Sequence, residues 1–132
     1  MLGIGIDLGG TNIKGALVDD KKGIIEKFSI LTEADNGCDY VLDRISVAVM
    51  RAAGFAENDK PVGVGIGSPG IISWDRTTVS TPPNFPGWDI VNLSKEVKKR
   101  TGFDCRVEND ANCAALGSSR FGAGKDFESF VM

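Results

Sequence analysis

Histidine is absent from this 132-residue sequence. That removes a Ser-His-Asp triad and any histidine-ligated metal site the chain would build alone. A general base must then be a carboxylate or, failing that, Lys, Cys or Tyr. Cysteine is scarce: Cys38, Cys105 and Cys113 are odd in number and far apart, without CxxC spacing. Neither a zinc site nor a disulfide framework is indicated, and reduced thiols in a cytoplasmic protein are expected. Met1 to Asp7 lacks a basic leader, so no signal peptide is expected, and no apolar run is long enough to span a membrane. Charge of one sign is lacking too. The 15 basic and 18 acidic residues leave a net charge of −3, which argues against a nucleic-acid surface spread over the domain. What remains, 42% hydrophobic and 25% charged residues, suits one soluble domain with a real core.

The apolar pattern predicts a strand over Leu2 to Leu8, a turn at Gly9-Gly10, and strands over Ile13 to Val18 and Ile24 to Leu31. A helix is expected over Asp39 to Ala53, where Val41, Ile45, Ala48, Val49 and Ala52 form one stripe, with Gly54 placed as the C′ glycine that ends it. A strand follows over Val62 to Gly67, with apolar residues on one face and glycine on the other. Ser68 to Asp89, with a short β-prone stretch near Ile71 to Trp74, reads as a long loop or an excursion from the sheet. Asn92 caps a helix to Arg100, and Gly102 follows it. Its Lys95, Lys98, Lys99 and Arg100 read as a solvated face, the alternative being a binding patch. Cys105 to Asn109 is a strand, Asp110 to Arg120 a helix, and Phe127 to Met132 starts another apolar segment. The order is that of an α/β fold with a mixed five-stranded sheet, three antiparallel strands first and helices packed on it.

Four segments carry polar chemistry. In Asp7-Leu8-Gly9-Gly10-Thr11-Asn12-Ile13-Lys14 a carboxylate ends a strand and two glycines open a turn. The turn is either a bare hairpin or an anion-binding concavity, with Thr11 and Lys14 as donors and Asp7 as a magnesium ligand. A branched side chain at Gly10 is expected to penalise a positive φ there. Gly65-Ile66-Gly67-Ser68-Pro69-Gly70 reads equally as a plain strand end or as backbone N–H groups and Ser68 meeting a polar ligand. In Pro82-Pro83-Asn84-Phe85-Pro86-Gly87-Trp88-Asp89, Asn84 offers a donor and an acceptor to a hydroxyl, while Trp88 anchors the loop in the core. In Glu108-Asn109-Asp110-Ala111-Asn112, Asp110 is either a helix cap or a general base, with Asn109 orienting its substrate hydroxyl.

Together and in this order, the segments resemble one family. Asp7-x-Gly9-Gly10-Thr11 is similar to the first phosphate motif of the actin-like ATPase fold, shared by sugar kinases and heat-shock chaperones. The other three segments resemble the ROK group of sugar kinases and repressors, so the resemblance covers almost the whole chain. It implies an RNase H-like domain, with residues 1–132 as the N-terminal sugar-binding and first-phosphate domain and a C-terminal domain beyond this sequence. The implied activity is ATP-dependent phosphorylation of a hexose, glucose at the 6-hydroxyl in the first instance, within glycolytic carbohydrate metabolism. Fructose, mannose and the N-acetylated hexosamines stay open. By resemblance, Asp110 is the catalytic base, and Asn109, Asn84, Gly67, Ser68 and Gly70 contact the sugar. Asp7, Gly9, Gly10, Thr11, Asn12 and Lys14 face the ATP phosphates, and Asp7 holds Mg²⁺.

The sequence departs from the family at Cys113, where alanine is usual, and at Ser118, where Glu is frequent. The second phosphate loop, a Glu-x-Gly-His segment, a cysteine-rich structural zinc motif and the adenosine pocket of such kinases do not occur in these residues. Phe130-Val131-Met132 resembles the start of the strand that leads into that second loop. The chain alone is therefore expected to be inactive and to self-associate, its full-length parent being a homodimer that engages neither nucleic acid nor membrane. ROK repressors carry a helix-turn-helix ahead of the phosphate hairpin. With Asp7 already at the hairpin no room is expected for one, and the kinase is preferred over a repressor or a non-catalytic actin-like module.

Overall fold

The computed structural model describes residues 1–109. Strands β1 (Leu2–Leu8), β2 (Asn12–Asp19) and β3 (Gly23–Leu31) form an antiparallel meander. Helix α1 (Cys38–Ala53) then crosses to β4 (Val64–Ser68), which lies parallel to β1. After α2 (Leu93–Thr101), β8 (Cys105–Asn109) lies parallel to β4 and completes a sheet of order β3-β2-β1-β4-β8. This is the mixed five-stranded sheet that the apolar pattern indicates.

Strand alternation sorts the residues onto two faces. Ile4, Ile6, Leu8, Ile13, Leu17, Val64, Ile66 and Val107 are buried toward the helices. The stripe Val41, Ile45, Ala48, Val49 and Ala52 seals α1 onto them. The opposite face carries Gly3, Gly5, Asp7, Lys14, Gly65 and Gly67, and a hollow of about 840 Å³ runs across its centre. Gly15 lies on the helix face with Ile13 and Leu17, and glycine is required there because a Cβ would stand 2.4 Å from the Phe28 ring. That ring packs against Phe55, 6.0 Å between centroids, and under the Arg51 guanidinium at 4.5 Å.

The helix ends follow their residues. The Asn92 side chain accepts the Lys95 N–H at 2.9 Å, and Gly102, at φ 82°, closes α2 in left-handed backbone. Gly54 ends α1 where expected, but with φ −64° and ψ −18°, right-handed rather than the left-handed backbone common at C′. Strand β4 also begins later than the apolar run. Val62 still donates to the Leu2 carbonyl at 2.9 Å, but regular pairing starts at Val64.

Of the two readings for Ser68 to Asp89, the excursion holds: the segment forms a second, three-stranded sheet of β5 (Ile71–Ile72), β6 (Thr78–Ser80) and β7 (Ile90–Asn92). Ile72, Val79 and Val91 pair in one row, with Val79 fully buried, while Ile71, Ser80 and Ile90 pair in the next. The β5–β6 turn is knotted by Ser73 and Thr77 hydroxyls donating to the Asp75 carboxylate at 2.6 and 2.7 Å. These bonds hold the Asp75 carboxyl below the usual range. The turn lies along the outer side of β8, where the Val107 N–H donates to the Arg76 carbonyl at 2.8 Å and the Arg76 guanidinium pairs with Glu108. Trp74, at the tip, is 97% exposed. Among the described residues no helix is long and apolar enough to cross a membrane. The expected helix from Asp110 to Arg120 and the segment from Phe127 to Met132 lie outside the described residues.

Candidate active site

The parallel strands β1, β4 and β8 all finish at one edge of the large sheet, where open α/β sheets hold their ligands. Register aligns Lys14, Asp7, Gly67 and Glu108 as one row across four strands. Gly67 contributes no side chain, so the row has a gap between the two carboxylates. Asp7 and Lys14 are exposed on the glycine face.

Beyond β1, the Gly9 N–H donates to the Asn12 carbonyl at 3.0 Å and closes the hairpin. A Cβ at Gly9 would lie 2.6 Å from that same carbonyl oxygen, which accounts for glycine there. Gly10 does not need a positive φ, contrary to expectation: among the described residues the glycines in left-handed backbone are Gly23, Gly37, Gly70, Gly87 and Gly102. Its constraint is proximity, because a Cβ at Gly10 would stand 3.4 Å from the Asn84 Cβ. Gly10, Thr11 and Asn12 are exposed, and a hollow of about 290 Å³ opens between Gly10, Thr11, Glu33, Asp35 and Asn84. Asn84 and Glu33 hold left-handed backbone at φ 67° and 55°, a strain that tends to collect at functional sites.

A second pairing forms beside it. The Asn109 amide donates to the Gly70 carbonyl at 3.4 Å, joining the end of β8 to the turn after β4. Gly70 has φ 97° and packs on the Ser80–Pro82 backbone. Ser68 is fully buried and its hydroxyl donates to the Pro69 carbonyl at 2.9 Å, so outward chemistry here falls to the backbone and to Asn109. Glu108 accepts the Asn109 N–H at 2.8 Å while Arg76 grips its other oxygen, which steadies the strand end. Phe85 and Trp88 are both buried, with ring centroids 5.2 Å apart, and anchor the Asn84 loop as the sequence indicates.

The structure thus brings Gly10 to Asn84 and Gly70 to Asn109. Asp110 follows Asn109 directly but lies outside the described residues. Sequence reasoning missed Arg76, Glu33 and Thr32, whose roles depend on distant partners. Mg²⁺ commonly takes one or two protein carboxylates together with phosphate oxygens. Asp7, exposed beside the bare Gly67 backbone, fits that pattern, and no group of three or more acidic or thiol ligands occurs among the described residues.

Comparison with known proteins gives the same fold. A ROK family glucokinase from Streptomyces griseus, solved in complex with glucose and AMPPNP, superposes with TM-score 0.84 at 38% identity, covering 94% of this chain and 38% of that one. A glucokinase of Thermotoga maritima is 39% identical over 128 residues, 97% of this chain. A ROK family transcriptional regulator, a homologue of the E. coli MLC protein, superposes with TM-score 0.78 at 22% identity, covers 96% of this chain and 32% of its own, and shows the fold alone. The chain spans 39% of the length of the Thermotoga relative. Residues 3–132 match the profile of the ROK family, and the chain belongs to that family.

Proposed function

We propose that residues 1–132 form the sugar-binding and first-phosphate domain of a two-domain enzyme that transfers the γ-phosphoryl group of ATP to the 6-hydroxyl of a hexose, with glucose the first candidate. The observation that carries this reading is the meeting of all four polar segments at the carboxyl ends of β1, β4 and β8, with Gly10 against Asn84 and Asn109 bonded to Gly70. The glucokinases similar to this chain support the same reading.

Phosphoryl transfer demands little covalent chemistry from a protein and much positioning. The Gly9–Lys14 hairpin offers backbone N–H groups and a lysine to phosphate oxygens. Asn84, Asn109 and the turn at Gly70 orient the sugar. Asp110 accepts the 6-hydroxyl proton as the oxygen–phosphorus bond forms and the bond to ADP breaks. Asp7 would hold Mg²⁺, which would supply charge neutralisation on the phosphates. The remainder of the nucleotide site lies in the second domain.

The test is Asp110→Asn in the full-length protein. A general base commonly contributes about 10²–10⁴-fold, so turnover should fall by that order while hexose binding by calorimetry persists. Turnover within a few-fold of wild type would leave Asp110 as a helix cap. Wild-type binding of hexose without any transfer would favour a sugar-sensing regulator.

A further inference from the structure

Two carbonyl groups of the phosphate hairpin are turned inward by one residue 23 positions away. Thr32 stands just past the end of β3 and is fully buried. Its hydroxyl donates to the Gly9 carbonyl at 2.7 Å, and its N–H donates to the Thr11 carbonyl at 2.9 Å. The peptide that supplies this N–H is held from its other side. The Arg44 guanidinium, on α1, donates through Nε and Nη2 to the Leu31 carbonyl at 3.0 and 2.8 Å. A charged donor on the carbonyl polarises the peptide and strengthens the bond its N–H makes. Arg44 in turn lies 4.0 Å from the Glu33 carboxylate, which also accepts the Tyr40 hydroxyl at 2.8 Å.

A trans peptide is planar, with its C=O and N–H on opposite sides. Holding the Gly9 carbonyl inward therefore turns the Gly10 N–H outward, toward the exposed side of the hairpin. Among the described residues that N–H has no hydrogen-bond partner. An outward, unspent N–H beside Thr11 and Lys14 is what an anion site requires.

We infer that Thr32 is a positioning residue for the nucleotide phosphates, setting the peptide orientation of the Gly9–Thr11 turn, with Arg44 acting behind it. The inference rests on the phosphate role proposed above for this hairpin. Thr32 is fully buried and bonds only the hairpin backbone, so its removal should act on the nucleotide rather than on the sugar.

The test uses the full-length protein, with Mg-ADP and glucose titrated separately by calorimetry. Thr32→Val keeps the shape and removes the hydroxyl; Thr32→Ser keeps the hydroxyl. Losing one orienting hydrogen bond is worth roughly tenfold in affinity. T32V should therefore weaken Mg-ADP by about tenfold with glucose unchanged, and T32S should restore nucleotide binding. Unchanged nucleotide affinity in T32V, parallel loss of both ligands, or a T32S as weak as T32V would each overturn the inference. If T32V does not fold, Arg44→Met carries the test from the surface end of the chain of bonds. A few-fold loss for Mg-ADP alone supports the inference, and no loss overturns it. Failure of the wild type to bind Mg-ADP would instead remove the phosphate role of the hairpin, and this inference with it.

Discussion

Gly70→Ala should damage the protein more than any surface glycine substitution, and the reason is local. Gly70 sits at φ 97°, where a Cβ would lie 2.8 Å from the Ser80 carbonyl oxygen and 3.0 and 3.2 Å from the Pro82 Cα and N. All three atoms are backbone, so no side chain can swing aside. Left-handed backbone costs a non-glycine residue about 1–2 kcal/mol. Forcing packed atoms apart adds about 1–3 kcal/mol. A loss near 3 kcal/mol is expected, on the order of a hundredfold in the folding equilibrium. Urea titration of the 132-residue chain would measure it, read by the buried Trp88 in a Trp74→Phe background. Gly3→Ala is the control: nothing lies within 4 Å of its added Cβ, so about 0.5 kcal/mol or less is expected. A Gly70→Ala loss no larger than that of the control would refute the close approach of Gly70 to the β6 end. Because the Gly70 carbonyl accepts the Asn109 amide, the same variant should also weaken hexose binding in the full-length protein.

Two further outcomes follow from packing. Gly15→Ala should cost about 1–3 kcal/mol by pushing the Phe28 ring off Arg51 and Phe55, and adding Phe28→Leu should recover most of the loss in the same titration. An uncoupled pair would mean that the ring moves freely. Burial raises the Cys105 thiol from 9.0 to about 12, so alkylation at about pH 8, read by mass spectrometry, should be slower there than at half-buried Cys38. Between those two values the unfolded thiol ionises and the folded one does not. Cys105 therefore contributes stability that is complete below 9.0 and declines as pH rises toward 12. Cys105→Ala should flatten that decline, and an identical alkaline slope would count against a buried thiol.

Much of this architecture was legible where the signal is local. The α1 stripe, the Asn92 cap, the Gly102 stop and the span of β8 depend on residues within a turn or two of one another. The small sheet was legible only as an excursion with a β-prone stretch near Ile71. Its strands are two or three residues long, and Ile71, Ser80 and Ile90 make sense as a row only once the chain has returned twice. Gly54 marked the end of α1, although it does so in right-handed backbone. At the candidate site the glycines and Asn84 stood out by composition, but Thr32 did not. A threonine after a strand has no local mark, and its meaning lies in Gly9 and Thr11. The pairing of Arg76 with Glu108 was hidden for the same reason, joining segments 32 residues apart.

The turn carrying Arg76 has a consequence for behaviour in a crowded solution. Among the described residues β8 is the last strand of the large sheet on its side, and an open strand margin is a template on which foreign chains can polymerise. Here the Val107 N–H, facing outward from that margin, is already taken by the Arg76 carbonyl, and a guanidinium stands over the neighbouring Glu108. A strand arriving from another molecule would have to displace a turn that is itself tied by Ser73, Asp75 and Thr77. Among the described residues, the knot at the β5–β6 tip thus covers part of the margin that an incoming strand would need.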